Sequence, residues 1–528
     1  MAGPSQTMSG DKAASQESRR VANSYIAAVY FDQATSLLNR GLFAESVPYF
    51  REALGLCPDH LGSLNNLGTA LWRLGRLREA EGCYQQALAL ESDDFAVLNN
   101  LGNVAWEQGR LEQAAERYRR AVELRPDSPD ALRNLGVTLS DLGDLDMAVA
   151  IIDEALRLEP GSPDSYLGLG VTIARQAKWA EALDCYDQAV GIRHDFAEAR
   201  RNRAQIWLAH GEFERGWPEY EWRLKCPKCR FPSVHCPRWT GDGLDRRSIL
   251  LVAEQGSGDT LQFIRYASIV TQLGGRVVVA CAQSLIRLLT RCPGVDHVVD
   301  WDSPLPDCDV HAPLLSLPAI LRTTLATIPA EIPYLRADAE TIRDWRPVVA
   351  QAIEHATPAG KSGTSKSART FNIGIAWQGN RANKVDRWRS FPLTHFAHLA
   401  RLPGVRLISL QKGDGREQIV PLAGQFRVAE LAHPDHGDED RRDFLDTAAV
   451  INELDLVVTP DTSLAHMAGA LGARVFVALP AVAEWRWLID RDHSPWYPSM
   501  RLFRQTTPGD WGGVFERIAG VVSRELLV

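Results

Sequence analysis

The sequence contains no long apolar run. No stretch approaches the roughly 20 apolar residues that a membrane-spanning helix requires. The first twenty residues also lack the apolar core of a secretory signal. These absences argue against a helical membrane protein, and they predict a cytoplasmic location with no transmembrane segment.

The sequence also lacks a surplus of basic residues and an even set of cysteines. It has 58 Lys and Arg against 66 Asp and Glu, which gives a net charge of -8, whereas general nucleic-acid binders present a basic face. The nine cysteines are odd in number and scattered, which favours free thiols over a disulfide framework. We therefore expect no nucleic-acid partner.

The first half of the chain repeats itself every 34 residues. Similar segments begin at Asn65, Asn99, Arg133 and Leu167. Small residues recur where two helices must approach closely, and large residues recur at other fixed positions of the repeat. The recurring positions are Gly68, Gly102, Gly136 and Gly170, then Ala80, Ala114, Ala148 and Ala182, and finally Tyr84, Tyr118 and Tyr186. The pattern resembles the tetratricopeptide repeat, a helix–turn–helix unit of 34 residues, over about residues 27–222.

Stacked repeats share one core and form a concave groove. The groove of this array is interpreted either as a binding site for a protein or peptide, or as a scaffold for self-association and support. Asn66, Asn100 and Asn134 are consistent with a ladder that clamps a peptide backbone, and equally with bonds between neighbouring helices. The sequence leaves both alternatives open.

From about residue 245 the pattern changes to short β-rich runs separated by helical stretches. The runs include "SILLVA" at 248–253, "RVVVAC" at 276–281, "FNIGIAW" at 371–377 and "RVFVAL" at 474–479. Alternating strands and helices predict parallel sheets covered by helices. A small, polar and basic segment at 356–370 predicts a flexible linker between two such halves.

Several segments of this half carry a family resemblance. They include "AEQGSGDTLQFIRYA", "IAWQGN", "RSFPL", "SLQKG", "TPDTSLAHMAGALGARVFVALP" and "EWRWLIDRDHSPWYPSMRLFRQ". These resemble bacterial glycosyltransferases with tetratricopeptide repeats, whose catalytic half is similar to the ADP-heptose:lipopolysaccharide heptosyltransferases. The resemblance implies a two-domain GT-B fold and inverting sugar transfer from a nucleotide-diphosphate sugar to an acceptor hydroxyl. It also implies no metal or other cofactor.

The expected fold class is α plus α/β, an α-solenoid of tetratricopeptide repeats followed by a GT-B unit of two Rossmann-like domains. The repeats would hold a protein or peptide acceptor or drive homo-oligomerisation. The expected segments are a disordered tail (1–26), the repeat array (27–224), a linker (225–247), an acceptor-side Rossmann-like domain (248–355), a flexible linker (356–370) and a nucleotide-sugar-binding Rossmann-like domain (371–528).

Asp259 lies in a glycine-rich turn between a predicted strand and helix. In the resembled family an acid at the matching position is the base that takes the acceptor proton, which makes Asp259 the candidate catalytic residue. Gly256 and Gly258 would let the backbone approach the substrate without obstruction by a Cβ, and Gln255 is a further candidate of this acceptor-side turn. The alternative is that Asp259 only caps the following helix.

The segment "TPDTSLAH" predicts a second strand–turn–helix, whose helix start suits a diphosphate. The resemblance implies that Asp461 contacts the donor and that His466 reaches the same cleft, with Thr462 and Ser463 at the helix start. The alternative assigns capping to Asp461 and Ser463, and an ordinary buried position to His466.

A basic loop after the strand at 371–377 is the other candidate donor contact, because guanidinium groups bind phosphate well. Arg389 stands where the heptosyltransferases have a lysine, so this contact departs from the family pattern; a solvated loop is the alternative. The remaining candidate donor residues of this region are Trp377, Gly379, Asn380, Gln411 and Lys412.

Two further features have simpler interpretations. Glu484 with the aromatic residues that follow it could hold a sugar, but packed Trp485 and Trp487 are the favoured interpretation. Cys226, Cys229 and Cys236 have part of a zinc-site spacing, yet four ligands are needed, so a linker with free thiols and no metal is favoured. A non-catalytic repeat scaffold with a retained glycosyltransferase-like half, and an enzyme of lipopolysaccharide core assembly, are the rival functions.

Overall fold

The computed structural model describes residues 7–227, 229, 231–355, 370–431 and 443–526. The chain forms two compact units, Met1–His194 and Asp195–Val528. The predicted linker 356–370 lies outside the described residues except for Thr370. Within the described part, every helix is too short or too polar to cross a bilayer.

The first unit is helical, and its helices follow the predicted period. They are α1 (Thr7–Asn39), α2 (Phe43–Leu56), α3 (Leu61–Arg73), α4 (Leu77–Leu90), α5 (Phe95–Glu107), α6 (Leu111–Leu124), α7 (Pro129–Leu142), α8 (Leu145–Leu158), α9 (Pro163–Arg175) and α10 (Trp179–Ile192). The tight turns between paired helices recur as well, with positive φ at Gly75, Gly109, Gly143 and, in the fourth copy, Ala177.

The start of α1 differs from the expected disordered tail of residues 1–26. The helix begins at Thr7, and residues 1–6 lie outside the described part. The segment from Thr7 to Asn39 has no proline and one glycine, so nothing in it strongly interrupts a helix.

The recurring glycines allow the paired helices of each repeat to touch. A methyl group added at Gly102 would lie 2.6 Å from Cε1 of Tyr118, and one added at Gly68 would lie 2.6 Å from Cε1 of Tyr84. At such distances a side chain fits only if the tyrosine ring or the helix shifts, because real Cβ atoms do not approach so closely. The alternation of small and large residues therefore fixes the packing, as the sequence predicted.

The second unit begins with two more helices, α11 (Ala197–Ala209) and α12 (Phe213–Tyr220). They were expected to end the repeat array at residue 224, but they belong to the unit that holds the sheets. The indole N–H of Trp217 donates to the carbonyl of Thr323 (2.9 Å), and Tyr220 packs edge-on against Trp485. Phe213, Trp217 and Tyr220 of this last hairpin are buried within the α/β core.

Two parallel sheets form the rest of this unit. The strands are β1 (Ser248–Val252), β2 (Arg276–Cys281), β3 (His297–Asp300), β4 (Val310–Pro313), β5 (Phe371–Ile375), β6 (Val405–Ser409), β7 (Leu456–Pro460), β8 (Val475–Leu479) and β9 (Met500–Arg504). The first sheet has the order β3-β2-β1-β4 and the second the order β6-β5-β7-β8-β9.

The connecting helices follow the strands in chain order. They are α13 (Ser257–Phe263), α14 (Ala267–Gln272), α15 (Ile286–Leu289), α16 (Leu317–Ile320), α17 (Ala339–His355), α18 (Asp386–Arg389), α19 (Ala397–Ala400), α20 (Ile419–Leu422), α21 (Phe444–Ile451), α22 (Ser463–Ala470) and α23 (Trp511–Leu526). All of them precede a further strand except α23, which follows the last one. The strands run parallel within each sheet.

Each sheet has one point at which the chain reverses its direction of travel across the strands. In the first sheet this switch lies between β1 and β4, and in the second between β5 and β7. The loops that leave such strands diverge and open a crevice, where open α/β sheets bind their ligands. The turns after β1, β5 and β7 hold most of the candidate residues named from the sequence.

Candidate functional site

The helix starts after β1 and β7 meet at a point of close contact. A methyl group added at Gly258 in α13 would lie 3.0 Å from Cδ2 of His466 and 3.4 Å from Cα of Ser463, both in α22. The sequence places glycine here because the backbones of two helices from different sheets approach this closely. The contact brings the glycine-rich turn and the "PDTSLAH" turn to one site.

Arg486, in the segment after β8, connects two carboxylates at this site. Its Nη2 pairs with Oδ1 of Asp259 and its Nη1 pairs with Oε1 of Glu484. The guanidinium group is buried, with 8% of the side chain exposed. Asp259 and Glu484 hold the pKa of Arg486 above its ordinary value, against the cost of burial.

Aromatic rings form the wall around this cation. The guanidinium carbon of Arg486 lies 4.4 Å from the ring centre of Trp485 and 5.7 Å from that of Phe263. Tyr220 packs against Trp485 with ring centres 5.7 Å apart. Such stacking suits a planar, weakly hydrated guanidinium, so the tryptophan cluster predicted from "EWRWL" supports Arg486.

A second buried ion pair lies where the glycine-rich turn begins. Arg223 donates to both carboxylate oxygens of Glu254, at 3.2 and 2.6 Å, and to the hydroxyl of Ser316 (2.8 Å). At most 1% of either charged side chain is exposed. Glu254 directly precedes Gln255, so this pair fixes the point at which the chain leaves β1.

Asp259 makes the capping contact that the sequence allowed, and its other carboxylate oxygen faces the cluster at Arg486. Its Oδ2 accepts from the backbone N–H of Gly256 (2.9 Å), which is the contact of an acid at the third position of a helix. Its Oδ1 faces Arg486, and 16% of its side chain is exposed. Gln255 has a positive φ of 62°, and both Gln255 and Gly256 are exposed at the turn.

Asp461 lies at the carboxyl end of β7, facing the same cluster. It is 9% exposed, and burial raises its pKa, with Arg389 opposing the shift most strongly. Asp259 and Arg486 also act on Asp461, so acids from both sheets share one electrostatic environment. Thr462 precedes α22 and its hydroxyl lies 3.3 Å from that of Thr459, while Ser463 is the first residue of the helix.

His466 is buried and its ring is well packed. Its Nδ1 lies 3.0 Å from the hydroxyl of Tyr497, and its ring stacks on Trp487 with centres 5.2 Å apart. Burial, with smaller contributions from Arg486 and Arg265, lowers the pKa of His466 well below its ordinary value. The ring is therefore neutral in the folded protein and packs at the junction of α13 and α22.

The loop after β5 places Arg389 near Asp461. Arg389 donates to Oδ1 of Asp386 (3.3 Å), and 22% of its side chain is exposed. Both groups lie against Gly379, where an added methyl group would be 3.0 Å from Nη2 of Arg389. Asn380 is exposed and its side chain accepts from the N–H of Ala382 (2.8 Å), which shapes the turn.

Gln411 and Trp377 hold the ends of β5 and β6 together. The side-chain oxygen Oε1 of Gln411 accepts from the backbone N–H groups of Trp377 (3.0 Å) and Gln378 (3.1 Å). Its amide donates to the carbonyls of Gln378 and Asp414, both at 2.8 Å. Trp377 is fully buried. Lys412 is exposed and reaches the carbonyl of Asp443 at 3.5 Å.

Glu484 and Arg486 are the members of the site that the sequence interpretation undervalued. Burial raises the pKa of Glu484 to about 7; Arg486 opposes this shift and Asp461 adds to it. About a third of the Glu484 side chain is nevertheless exposed, at 32%. A charged pair inside an otherwise aromatic segment was the available signal, because buried charges need partners.

The cysteines of the loop at 226–236 are free thiols in the described part of the chain. Among the residues that the structure describes, no group of three His, Cys, Asp or Glu side chains lies close enough together to hold a metal ion. Cys236 lies 3.9 Å from Nδ1 of His311. Burial raises the pKa of Cys226, Cys229 and Cys236, which disfavours the thiolate form that metals bind.

The comparisons with known proteins support the repeats. A family described as "Tetratricopeptide repeat" matches residues 65–129 and 99–163, and a second family with the same description matches residues 25–91. Together with the helical period, these matches identify the N-terminal region as tetratricopeptide repeats. They cover less than half of the chain.

One curated relative extends beyond the repeats. The chain is similar to Protein FlbA of Caulobacter vibrioides, with 28% identity over 360 residues, or 63% of this chain and 56% of the relative. The chain therefore spans little more than half of that relative's length. Among solved structures, PilF of Pseudomonas aeruginosa is 22% identical, covering 39% of this chain and 92% of its own (TM-score 0.34). YrrB, a protein of the same repeat class, is 24% identical, covering 33% and 90% (TM-score 0.29).

Proposed function

We propose that this chain is an inverting, metal-independent glycosyltransferase of the GT-B type. It would move a sugar from a nucleotide-diphosphate sugar to a hydroxyl of a protein held by the repeats. The observation that carries the proposal is the contact of Gly258 with His466 and Ser463. This contact joins the turns at the carboxyl ends of two parallel sheets, which is where such sheets bind ligands.

The donor would occupy the side of the crevice that β5 and β7 provide. Arg389 supplies a cation beside the start of α22, where Thr462 and Ser463 offer backbone N–H groups. Both features stabilise the negative charge that grows on a departing diphosphate. Asp461 would contact the donor at the same place, and Gln411 would keep the two loops in register.

The reaction requires one proton acceptor and one leaving group. The acceptor O–H bond breaks as the oxygen bonds to the anomeric carbon, and the bond from that carbon to the diphosphate oxygen breaks with its electron pair. The proton passes to a carboxylate of the crevice. Asp259 is the residue that the sequence selects for this role, and it is one of the two carboxylates beside Arg486.

A donor screen tests the proposal on the full chain. UDP-, GDP- and ADP-sugars are added singly while the unfolding midpoint and the release of nucleoside diphosphate are measured. We expect one donor class to raise the midpoint by mass action and to be turned over. Asp461→Asn should lose both effects, whereas Asp302→Asn, an exposed carboxylate of the same unit, should retain them. No binding and no turnover with any donor would reject the proposal.

The second candidate is a non-catalytic scaffold, which the repeat matches over residues 25–163 favour. In that case the α/β half would bind a nucleotide or nothing, and the repeats would carry the function. A nucleotide that raises the unfolding midpoint of the wild-type chain without any turnover of the corresponding sugars would favour this candidate.

A further inference from the structure

We propose that Glu484, and not Asp259, takes the proton of the acceptor hydroxyl, and that Asp259 is a positioning residue for Arg486. This inference rests on the proposed function, and it reassigns the base within the same site. It starts from the arrangement of two carboxylates on one guanidinium group, Asp259 on Nη2 and Glu484 on Nη1.

The two carboxylates differ in what holds them. Asp259 uses its second oxygen within its own turn, where Gly256 N–H donates at 2.9 Å, so it joins the glycine-rich turn to Arg486. Glu484 accepts at its second oxygen from the backbone N–H of Arg486 (3.0 Å), two residues along the same segment. The Asp259 contact therefore connects the two sheets, while the Glu484 contacts stay within the segment after β8.

Access to solvent also differs between them. The exposed fraction of the side chain is 32% for Glu484 and 16% for Asp259. A general base must come within hydrogen-bond reach of the hydroxyl that it deprotonates. The more open carboxylate can receive an acceptor without breaking the contact that joins α13 to Arg486.

The charges around Glu484 suit proton transfer near neutral pH. Arg486 favours its ionised form, while burial and Asp461 favour the protonated form, and the pKa is about 7. Tyr220 of α12 is also within electrostatic reach, and burial keeps its phenol protonated by raising its pKa. A base whose pKa lies near the working pH combines adequate strength with a large ionised fraction.

In the resulting step, Glu484 Oε gains the proton as the acceptor O–H bond breaks. The acceptor oxygen bonds to the anomeric carbon, and the nucleoside diphosphate leaves with the electron pair of the broken bond. Glu484 then returns its proton to solvent through its exposed edge. Arg486 remains paired with Asp259 throughout, so no buried charge loses its partner.

The experiment compares Glu484→Gln and Asp259→Asn in the full chain, using the nucleotide sugar that the wild type hydrolyses, with water as acceptor. We expect wild-type kcat/KM to fall about tenfold per pH unit below pH 7. Glu484→Gln should lower kcat about 10²- to 10⁴-fold at an unchanged Kd for the donor. Asp259→Asn should lower kcat by a smaller factor and keep a pH-dependent acidic limb. Glu484→Asp should recover part of the activity.

The controls separate this inference from the function on which it rests. Asp302→Asn should match the wild type in rate and unfolding midpoint. If Glu484→Gln turns over donor at the wild-type rate while Asp259→Asn is inactive at full donor affinity, Asp259 is the base and the inference is wrong. A wild-type chain without turnover of any donor would reject both proposals. If Glu484→Gln unfolds, the pH–rate profile of Asp259→Asn still decides between the two carboxylates. An acidic limb that persists in this variant supports Glu484 as the base, and loss of that limb would assign the proton to Asp259.

Discussion

The internal contacts of the repeat unit differ in kind from the internal contacts of the α/β unit. In the repeats, polar contacts recur at a constant separation: Asn100 donates to Asn65 (3.0 Å) and Asn134 donates to Asn99 (3.2 Å), each across 35 residues. In the α/β unit, the contacts that define the site occur once and at long range, as in Arg486 with Asp259, 227 residues apart. The difference teaches that a periodic unit distributes its stability, while the α/β unit concentrates it in a few groups.

The largest test of this comparison removes a buried cation. Arg223→Met leaves Glu254, which is fully buried, without its partner. We expect the free energy of unfolding to fall by about 3–5 kcal/mol, measured by urea unfolding followed through tryptophan fluorescence. The matched change in the repeats is Arg157→Met, which removes an exposed pair with Glu154 and should leave the midpoint unchanged. Equal effects of the two variants would contradict the comparison.

The next test uses two glycines of the same repeat array. Gly102→Ala forces a methyl group to 2.6 Å from Tyr118, and we expect a loss of about 1–3 kcal/mol. A methyl group added at Gly82, in the interior of α4, would enter open space. Gly82→Ala should therefore stabilise by about 0.5–1 kcal/mol, because alanine is the better helix former. Unfolding midpoints that move in the same direction would refute the packing argument.

A pH test addresses the switch-point contact of the α/β unit. The folded chain keeps His466 neutral at a pH where the unfolded chain binds a proton, since burial lowers its pKa. Stability should thus fall as pH drops below about 6.5, by up to about 1.4 kcal/mol per pH unit. The difference in unfolding free energy between the wild type and His466→Gln should shrink with that slope. Glu484, with its raised pKa, has the opposite effect in both proteins and cancels in the difference. His297→Gln, which replaces an exposed histidine outside this contact, is the matched control variant.

The smallest effect is expected in the hydrogen bonds between asparagine side chains of neighbouring repeats. Asn100→Ala removes one bond of 3.0 Å to Asn65, and we expect a loss of about 0.5–1.5 kcal/mol. Because these bonds recur, Asn134→Ala should cost a similar amount, and the double variant should cost their sum. A cost above 3 kcal/mol for either change would mean that the array also concentrates its stability.

The same contrast explains how much could be predicted. The repeats, their recurring small residues and the parallel strands followed from local periodicity, which the sequence displays directly. The candidate turns around Asp259 and Asp461 were located by motif, yet their pairing with Arg486 depends on two distant segments. Arg486 and Asp259 are 227 residues apart, and no local pattern in the sequence indicates which arginine pairs with which acid. The start of α1 was missed because a polar composition does not distinguish a disordered tail from a helix.

The hairpin of α11 and α12 has a practical consequence for anyone who wishes to dissect the protein. A cut at residue 224, where the sequence motif ends, would strip Trp217 from its bond to Thr323 and Tyr220 from Trp485. The truncated product would expose an apolar surface beside the crevice and would be prone to aggregation. A cut near residue 194, or an exchange of whole repeats before it, follows the boundary between the two compact units.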